Sequence, residues 1–327
     1  MSFSFSSHPS GSPFARQSPL MKHRRLGRTG LCVSEISFGA GPVSGLMTGA
    51  DTDQQLEVLH TAIRSGINWI DTAAGYGNGA SEKAIGSALR QLDPEQHLQI
   101  ATKVRIHRSS NASIREQITS GITASLGRLQ RSHVTLLQLH NAVTEHPDQE
   151  PFSLTPDEIL GPQGVAAIFN ELRQSGIIAC CGLTGTGHPT ALRTVLQSHV
   201  FDTLQIPFNR LNPSAGMSVA PDSVPTDYGN LLADCQRLGI GAFAIRVLAG
   251  GAIAGNPPSA HTLTTPFFPL ALYQHDLQQA RSLAAAEPVS HTVPQAIRFV
   301  LQHPAVCSAI IGFAQPHEVL QACAAAC

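Results

Sequence analysis

The 327-residue chain carries 21 Lys and Arg against 22 Asp and Glu, a formal net charge of −1, so electrostatics gives no basis for a nucleic-acid or anionic-membrane partner. Hydrophobic residues make up 42% and charged residues 13%, against roughly 25% charged in an average soluble protein, which is material for one large α/β core. No apolar run approaches the roughly 20 residues that span a bilayer. The seven cysteines show no C-x-x-C and no Cys/His spacing for zinc; no metal is expected, and reduced thiols in the cytoplasm are the plain reading.

Residues 1–21 form an acid-free extension containing Ser, Pro and Phe, without periodicity, and read as disordered. A targeting segment and a natural start at Met21 are the alternatives. His23–Leu26 and Leu31–Ile36, joined by Gly27-Arg28-Thr29-Gly30, read as a β-hairpin. From there strands and helices alternate. Strands are expected at Ile36–Phe38, Ile67–Ile70, Leu98–Val104, Val134–Leu139, Ile177–Leu183, Thr203–Pro207, Gly241–Ile245 and Val306–Ile311. Helices are expected between them at Asp53–Arg64, Ser81–Arg90, Ser113–Leu129, Val165–Ser175, Pro189–Gln197, Tyr228–Leu238, Leu272–Ala286 with Pro294–Gln302, and Pro316–Ala325. Short strands rich in Ile, Val and Leu, apolar on both faces and mostly about 30–40 residues apart, suit parallel strands covered by helices. Eight of them point to a (β/α)8 TIM barrel over residues 22–327 as a single domain; an open doubly wound sheet is the second choice.

Function in such a barrel comes from the C-terminal strand ends. Asp71 closes the second strand, Lys103 the third and His140 the fourth, and Tyr76 lies on the loop after Asp71. Each has an ordinary reading alone: a turn acid, a solvated lysine, a core histidine, a loop tyrosine. In one barrel mouth they have a joint role. A lysine ammonium about 4 Å from a phenol favours the phenolate by about 4 kcal/mol at an effective dielectric of about 20. Asp71 would hold Lys103 charged, and His140 would hydrogen-bond a substrate oxygen. That arrangement suits proton transfer to a carbonyl oxygen as hydride reaches its carbon. It has no nucleophile, base and oxyanion pattern for hydrolysis.

The chain resembles the aldo-keto reductases in Arg25-Leu26-Gly27-Arg28-Thr29-Gly30-Leu31-Cys32-Val33-Ser34, Trp69-Ile70-Asp71-Thr72-Ala73 with Tyr76, Thr102-Lys103-Val104, Leu139-His140-Asn141 and Ile310-Ile311-Gly312. The resemblance implies a (β/α)8 barrel, a nicotinamide cofactor, and Tyr76 as general acid tuned by Lys103 and Asp71, with His140 orienting the carbonyl. It also implies cofactor contacts from Thr184, Gln205, Arg246, Leu248, Gly250, Gly312, Phe313 and Gln315. Departures from the family pattern are Thr184-Gly185 in place of Ser-Asn, Ile245 in place of a stacking aromatic, Ala314 where an arginine often meets the 2′-phosphate, and Gln321-Ala322 in place of Glu-Asn. Family habit makes NADP(H) the first expectation and NAD(H) the alternative.

From the residues alone, Gly39-Ala40-Gly41-Pro42-Val43-Ser44-Gly45 imitates a dinucleotide fingerprint, but Pro42 removes an amide donor, and it reads better as a loop bordering the mouth. Gly250-Gly251 is the better phosphate candidate. Loops 142–160 and 209–229 are expected to rim the substrate site, and the short tail after the last helix suggests a broad one. A small carbonyl compound or sugar is the expected substrate. A cofactor-binding regulatory protein on the same fold is the rival reading.

Overall fold

The computed structural model describes residues 21–92, 98–284 and 289–327. Of the extension expected at 1–21, residues 1–20 lie outside them, as do residues 285–286 at the end of the expected Leu272–Ala286 helix. Met21 belongs to the fold: it is 6% exposed and packs beside Gly66.

The hairpin is β1 (His23–Arg25) and β2 (Cys32–Ser34). It is followed by β3 (Ile36–Gly39), α1 (Thr52–Arg64), β4 (Trp69–Asp71), α2 (Ala80–Gln91), β5 (Gln99–Val104), α3 (Ile114–Leu129) and β6 (Val134–Leu139). An excursion then adds β7 (Ala142–Val143), β8 (Ser153–Leu154) and α4 (Pro156–Leu160) before α5 (Val165–Gln174) and β9 (Ile178–Thr184). The last part holds α6 (Pro189–Leu196), β10 (Thr203–Pro207), α7 (Leu231–Leu238), β11 (Gly241–Ile245), α8 (Leu270–Ala284), α9 (Val289–Gln302), β12 (Val306–Ile311) and α10 (Pro316–Ala326). Strands β3, β4, β5, β6, β9, β10, β11 and β12 close in that order into a parallel barrel, the TIM-barrel architecture.

Local chemistry sets several helix starts. The Asp51 carboxylate accepts from the Gln54 amide at 3.0 Å, and Ser113 with Glu116 and Thr155 with Glu158 form reciprocal capping boxes. The starts at Leu231 in place of Tyr228 and at Val289 in place of Pro294 depart furthest from expectation. A proline is favoured in the first helical turn, which placed a helix at Pro294; α9 instead runs from Val289 and carries Pro294 inside. The buried Thr292 hydroxyl, before the proline, reaches the Ile253 carbonyl at 3.4 Å, and Ala296 and Ile297, after it, pack into the core. Tertiary packing outweighs the roughly 3 kcal/mol local preference.

Two apolar layers make the core. Outward-facing strand residues such as Ile70, Val104, Leu137 and Ile311 meet the helices, while Trp69, Ala101, Leu136, Cys180 and Phe243 fill the barrel interior. Leu26 and Val33 of the hairpin plug the interior from below, both 0% exposed. The plug fits because Gly241 has no side chain: a Cβ there would lie 2.5 Å from Leu26 Cδ1. Because strand side chains alternate faces, the same interior row two residues on presents Asp71, Lys103, Gln138 and Gln205, a polar layer above an apolar floor. That alternation positions the site.

Candidate active site

Asp71 is the last residue of β4, not the first of its loop, and its backbone carbonyl accepts from the Ala40 amide at 2.9 Å. Lys103 is the penultimate residue of β5, and His140 directly follows β6, its amide bonded to the Val104 carbonyl at 2.8 Å. The structure brings all four expected residues together. Lys103 Nζ donates to Asp71 Oδ2 at 2.6 Å, to the Thr72 carbonyl at 2.9 Å and to Tyr76 Oη at 3.1 Å. The Tyr76 and His140 rings meet edge to face, centroids 5.8 Å apart at 82°. Asp71 and Lys103 are buried, while Tyr76 and His140 keep part of their surface open to the mouth.

The electrostatics follow from that arrangement. Burial alone would push the Lys103 ammonium down, but the Asp71 carboxylate, assisted by Tyr76, more than offsets it and raises its pKa above the ordinary lysine value. His140 is driven well below the ordinary histidine value, first by burial and then by the Lys103 and Arg105 cations. Its imidazole is therefore neutral near neutrality and able to donate to an oxygen. A buried cation touching a phenol, beside a neutral imidazole, is an arrangement for giving a proton to an oxygen placed between the rings.

Gln138, Arg105, Phe152 and Phe267 were not singled out from the sequence, and Gln205 was read there only as a cofactor contact. Gln138 Nε2 donates to Asp71 Oδ1 at 3.2 Å, and Gln205 Nε2 donates to the same oxygen. With Lys103 on Oδ2, both oxygens of the carboxylate are engaged. Gly182 makes room for this, since a Cβ there would stand 2.4 Å from Thr203 Oγ1 and 2.9 Å from Gln138 Cγ. Arg105 was also passed over. It lies two residues beyond Lys103 and so on the same face of the strand; its Nε donates to the His140 carbonyl at 3.3 Å. That two-residue offset was the available signal. Phe152 and Phe267, whose rings face the Arg105 guanidinium at 5.2 and 4.5 Å, come from distant loops and left no such mark.

The residues assigned to a cofactor fall around the same mouth. Thr184 ends β9 in register with Gln205, and its buried hydroxyl has no partner. Arg246 follows β11 with a positive φ of 54° and is held by Asp276 at 2.7 Å and by the Phe268 ring at 4.5 Å. Leu248 leads into Gly250 and Gly251, whose φ values of 69° and 98° suit glycine. Gly312 is exposed beside Ser44, another buried hydroxyl without a partner, which places the Gly39–Gly45 loop at the mouth as expected. Phe313 differs from the rest: it is 1% exposed and packs on Phe38 at 5.9 Å, so its side chain belongs to the core and not to the mouth. Gln315 caps α10, and Glu318 Oε2 accepts from the Ala314 and Gln315 amides at 2.6 and 3.0 Å. Two orphaned hydroxyls and a left-handed glycine pair fit a nicotinamide dinucleotide laid over the strand ends.

The Aldo/keto reductase family profile matches residues 35–327. An aldo-keto reductase of Bacillus subtilis is 26% identical over 312 residues, covering 91% of this chain and 87% of the relative. A Schizosaccharomyces pombe protein named for the beta subunit of voltage-gated potassium channels is 27% identical over 319 residues, covering 91% and 86%. Among solved structures, the holo form of an aldo-keto reductase from Bacillus halodurans superposes with a TM-score of 0.67 at 21% identity, covering 92% of this chain and 90% of that one. An aldo/keto reductase from Klebsiella pneumoniae, solved in complex with NADP and acetate, gives 0.64 at 19% identity, covering 94% and 90%. With the profile spanning nearly the whole barrel, the chain belongs to the aldo-keto reductase family.

Proposed function

We propose that the protein interconverts an aldehyde, ketone or sugar carbonyl with its alcohol, using Tyr76 as general acid and base. A bound nicotinamide nucleotide supplies the hydride in one direction and accepts it in the other. His140, neutral, donates to the carbonyl oxygen and fixes its approach. Tyr76 delivers its proton to that oxygen, and the Lys103 ammonium stabilises the phenolate left behind. Asp71 keeps Lys103 charged and aimed, and is itself held by Gln138 and Gln205. Thr184 and the Leu248–Gly251 turn are the groups that would hold the nucleotide. The observation that carries this reading is the chain of contacts Asp71–Lys103–Tyr76 at 2.6 and 3.1 Å.

The test is Tyr76→Phe. Loss of a positioned acid removes roughly 10²- to 10⁴-fold of rate, so turnover of every reducible carbonyl falls by at least 10²-fold while nucleotide binding persists. Survival of turnover within a few-fold overturns the assignment.

The adenosine end bears on the nucleotide. Ala314 offers no guanidinium for a 2′-phosphate, and Glu318 places a carboxylate on the two amides at the start of α10. This local chemistry favours NAD(H) over the NADP(H) that family habit suggests, and fluorescence titration with both nucleotides decides between them. A second reading, a nucleotide-binding regulatory subunit, is favoured by Ile245 standing where a stacking aromatic is usual and by the likeness to the Schizosaccharomyces pombe protein. Steady-state turnover of any member of a carbonyl panel retires it. Among the described residues no helix is long and apolar enough to cross a membrane.

A further inference from the structure

Arg105 stands apart from the other arginines around the barrel. Arg108 is paired with Asp148 and Glu158, Arg128 with Glu82, and Arg246 with Asp276. Arg105 is half-buried at the mouth, and its one hydrogen bond among the described residues runs from Nε to the His140 carbonyl. Its two terminal nitrogens have no acceptor there, and no carboxylate among the described residues neutralises it. Burial accordingly lowers its pKa from the ordinary arginine value, with only Tyr76 acting against that shift. The guanidinium is nevertheless well fixed. Phe152 and Phe267 face it at 5.2 and 4.5 Å, and these two rings lie 5.8 Å from one another. A desolvated cation, oriented by two rings and tied through Nε to the backbone of His140, is built to receive a charge that the protein does not itself provide.

We propose that Arg105 is a specificity residue that binds an anionic group, carboxylate or phosphate, on the carbonyl substrate. The anion sits close to the reacting carbon because Nε is tied to the backbone of His140, so the substrate is a short oxo acid or a short sugar phosphate. Two parallel N–H···O bonds from the free edge of the guanidinium hold a carboxylate or phosphate in the bidentate manner. The rings of Phe152 and Phe267 hold the guanidinium in that orientation. The inference rests on the carbonyl-reductase reading and names the class of compound that the same site accepts.

The experiment compares two matched pairs of probes, succinic semialdehyde against butanal and glyceraldehyde 3-phosphate against glyceraldehyde, in wild type and Arg105→Met. Methionine keeps an apolar stem between the rings, and circular dichroism verifies that the variant is folded. The quantity read is the ratio of kcat/KM for the charged over the neutral member, which a purely structural role of Arg105 would leave alone. Wild type prefers a charged member, and the ratio falls roughly ten- to one-hundredfold in the variant, the value of one hydrogen-bonded charge; Arg105→Lys restores part of it. A fall confined to one pair identifies carboxylate or phosphate as the anion. An unchanged ratio in both pairs overturns the proposal while leaving neutral-aldehyde turnover to support the enzymatic reading. Should no aldehyde turn over, calorimetric binding of succinate and glycerol 3-phosphate to the nucleotide-loaded protein decides the matter instead. Weaker binding to Arg105→Met supports the anion site, and equal or absent binding sinks it.

Discussion

Asp71→Asn isolates the physics of the buried centre. The carboxylate accepts three donors: the Lys103 ammonium on Oδ2, and the Gln138 and Gln205 carboxamides on Oδ1. Asparagine has one oxygen, so either orientation sets an NH2 group against at least one of those donors and leaves Lys103 without its counter-charge. Removing one partner of a buried pair costs about 3–5 kcal/mol, and the 1% and 5% side-chain exposures of Lys103 and Asp71 leave little solvent to screen it. The pH dependence should also change sign. In the wild type the Lys103 pKa is raised, so its contribution is fully present below the unfolded value near 10.4 and is lost as pH rises through the folded value. In the variant, burial acts without the Asp71 carboxylate and drops the folded pKa below the unfolded one. The unfolded chain then binds more protons, and stability rises with pH through the interval between the two values, by up to about 1.4 kcal/mol per pH unit. Urea unfolding of both proteins from pH 7 to 9.5 measures this. The variant starts about 3–5 kcal/mol lower, and the gap narrows as pH increases. A deficit below about 1 kcal/mol, or a gap that stays constant, refutes the account of Lys103 as a buried cation dependent on Asp71. Replacing the pair with Leu and Met recovers only part of the loss, because the two glutamine carboxamides lose their acceptor as well.

Three further outcomes follow from the geometry. His140 has a depressed pKa, so its ring resonances should stay those of a neutral imidazole from pH 8 down to the ordinary histidine value of about 6.5. Below that value the unfolded chain is protonated first, so this group makes stability fall as pH drops towards the folded pKa; protonation of His140 above pH 6.5 in an NMR titration would contradict it. Gly182→Ala forces a Cβ against Thr203 Oγ1 and Gln138 and should lose about 1–3 kcal/mol by overpacking. Gly127→Ala, on the exposed face of α3 with nothing within 4 Å, should instead gain about 0.4–1 kcal/mol. Chemical denaturation distinguishes the two, and equal effects would mean that the interior packing around Gln138 is misread.

The order of strands and helices was legible because it is carried by local signals: β-branched runs, capping residues such as Asp51 and Ser113, and the alternation of short strands with helices. The three residues at the strand ends were legible for a related reason, since each closes an apolar run whose end can be read from the chain, and Tyr76 was legible from the loop that follows Asp71. Asp71, Lys103 and His140 needed only the inference of a closed barrel to converge. Pro294 was misplaced because its local preference for a helix start is smaller than the packing of the residues around it. Phe313 stands in a segment read as binding a cofactor, but its apolar ring packs in the core on Phe38.

The sequence by itself determined the barrel and the kinds of group at its mouth, because periodicity and strand termini are properties of neighbouring residues. The tertiary structure alone decided which groups touch. Gln138 and Gln205 share one oxygen of Asp71, 67 and 134 residues away in the chain. Glu318 covers the Ala314 and Gln315 amides, and Arg105 lacks a carboxylate among the described residues while facing rings from two remote loops. Charge neutralisation and hydrogen-bond satisfaction depend on distances through space, and a linear order does not contain them.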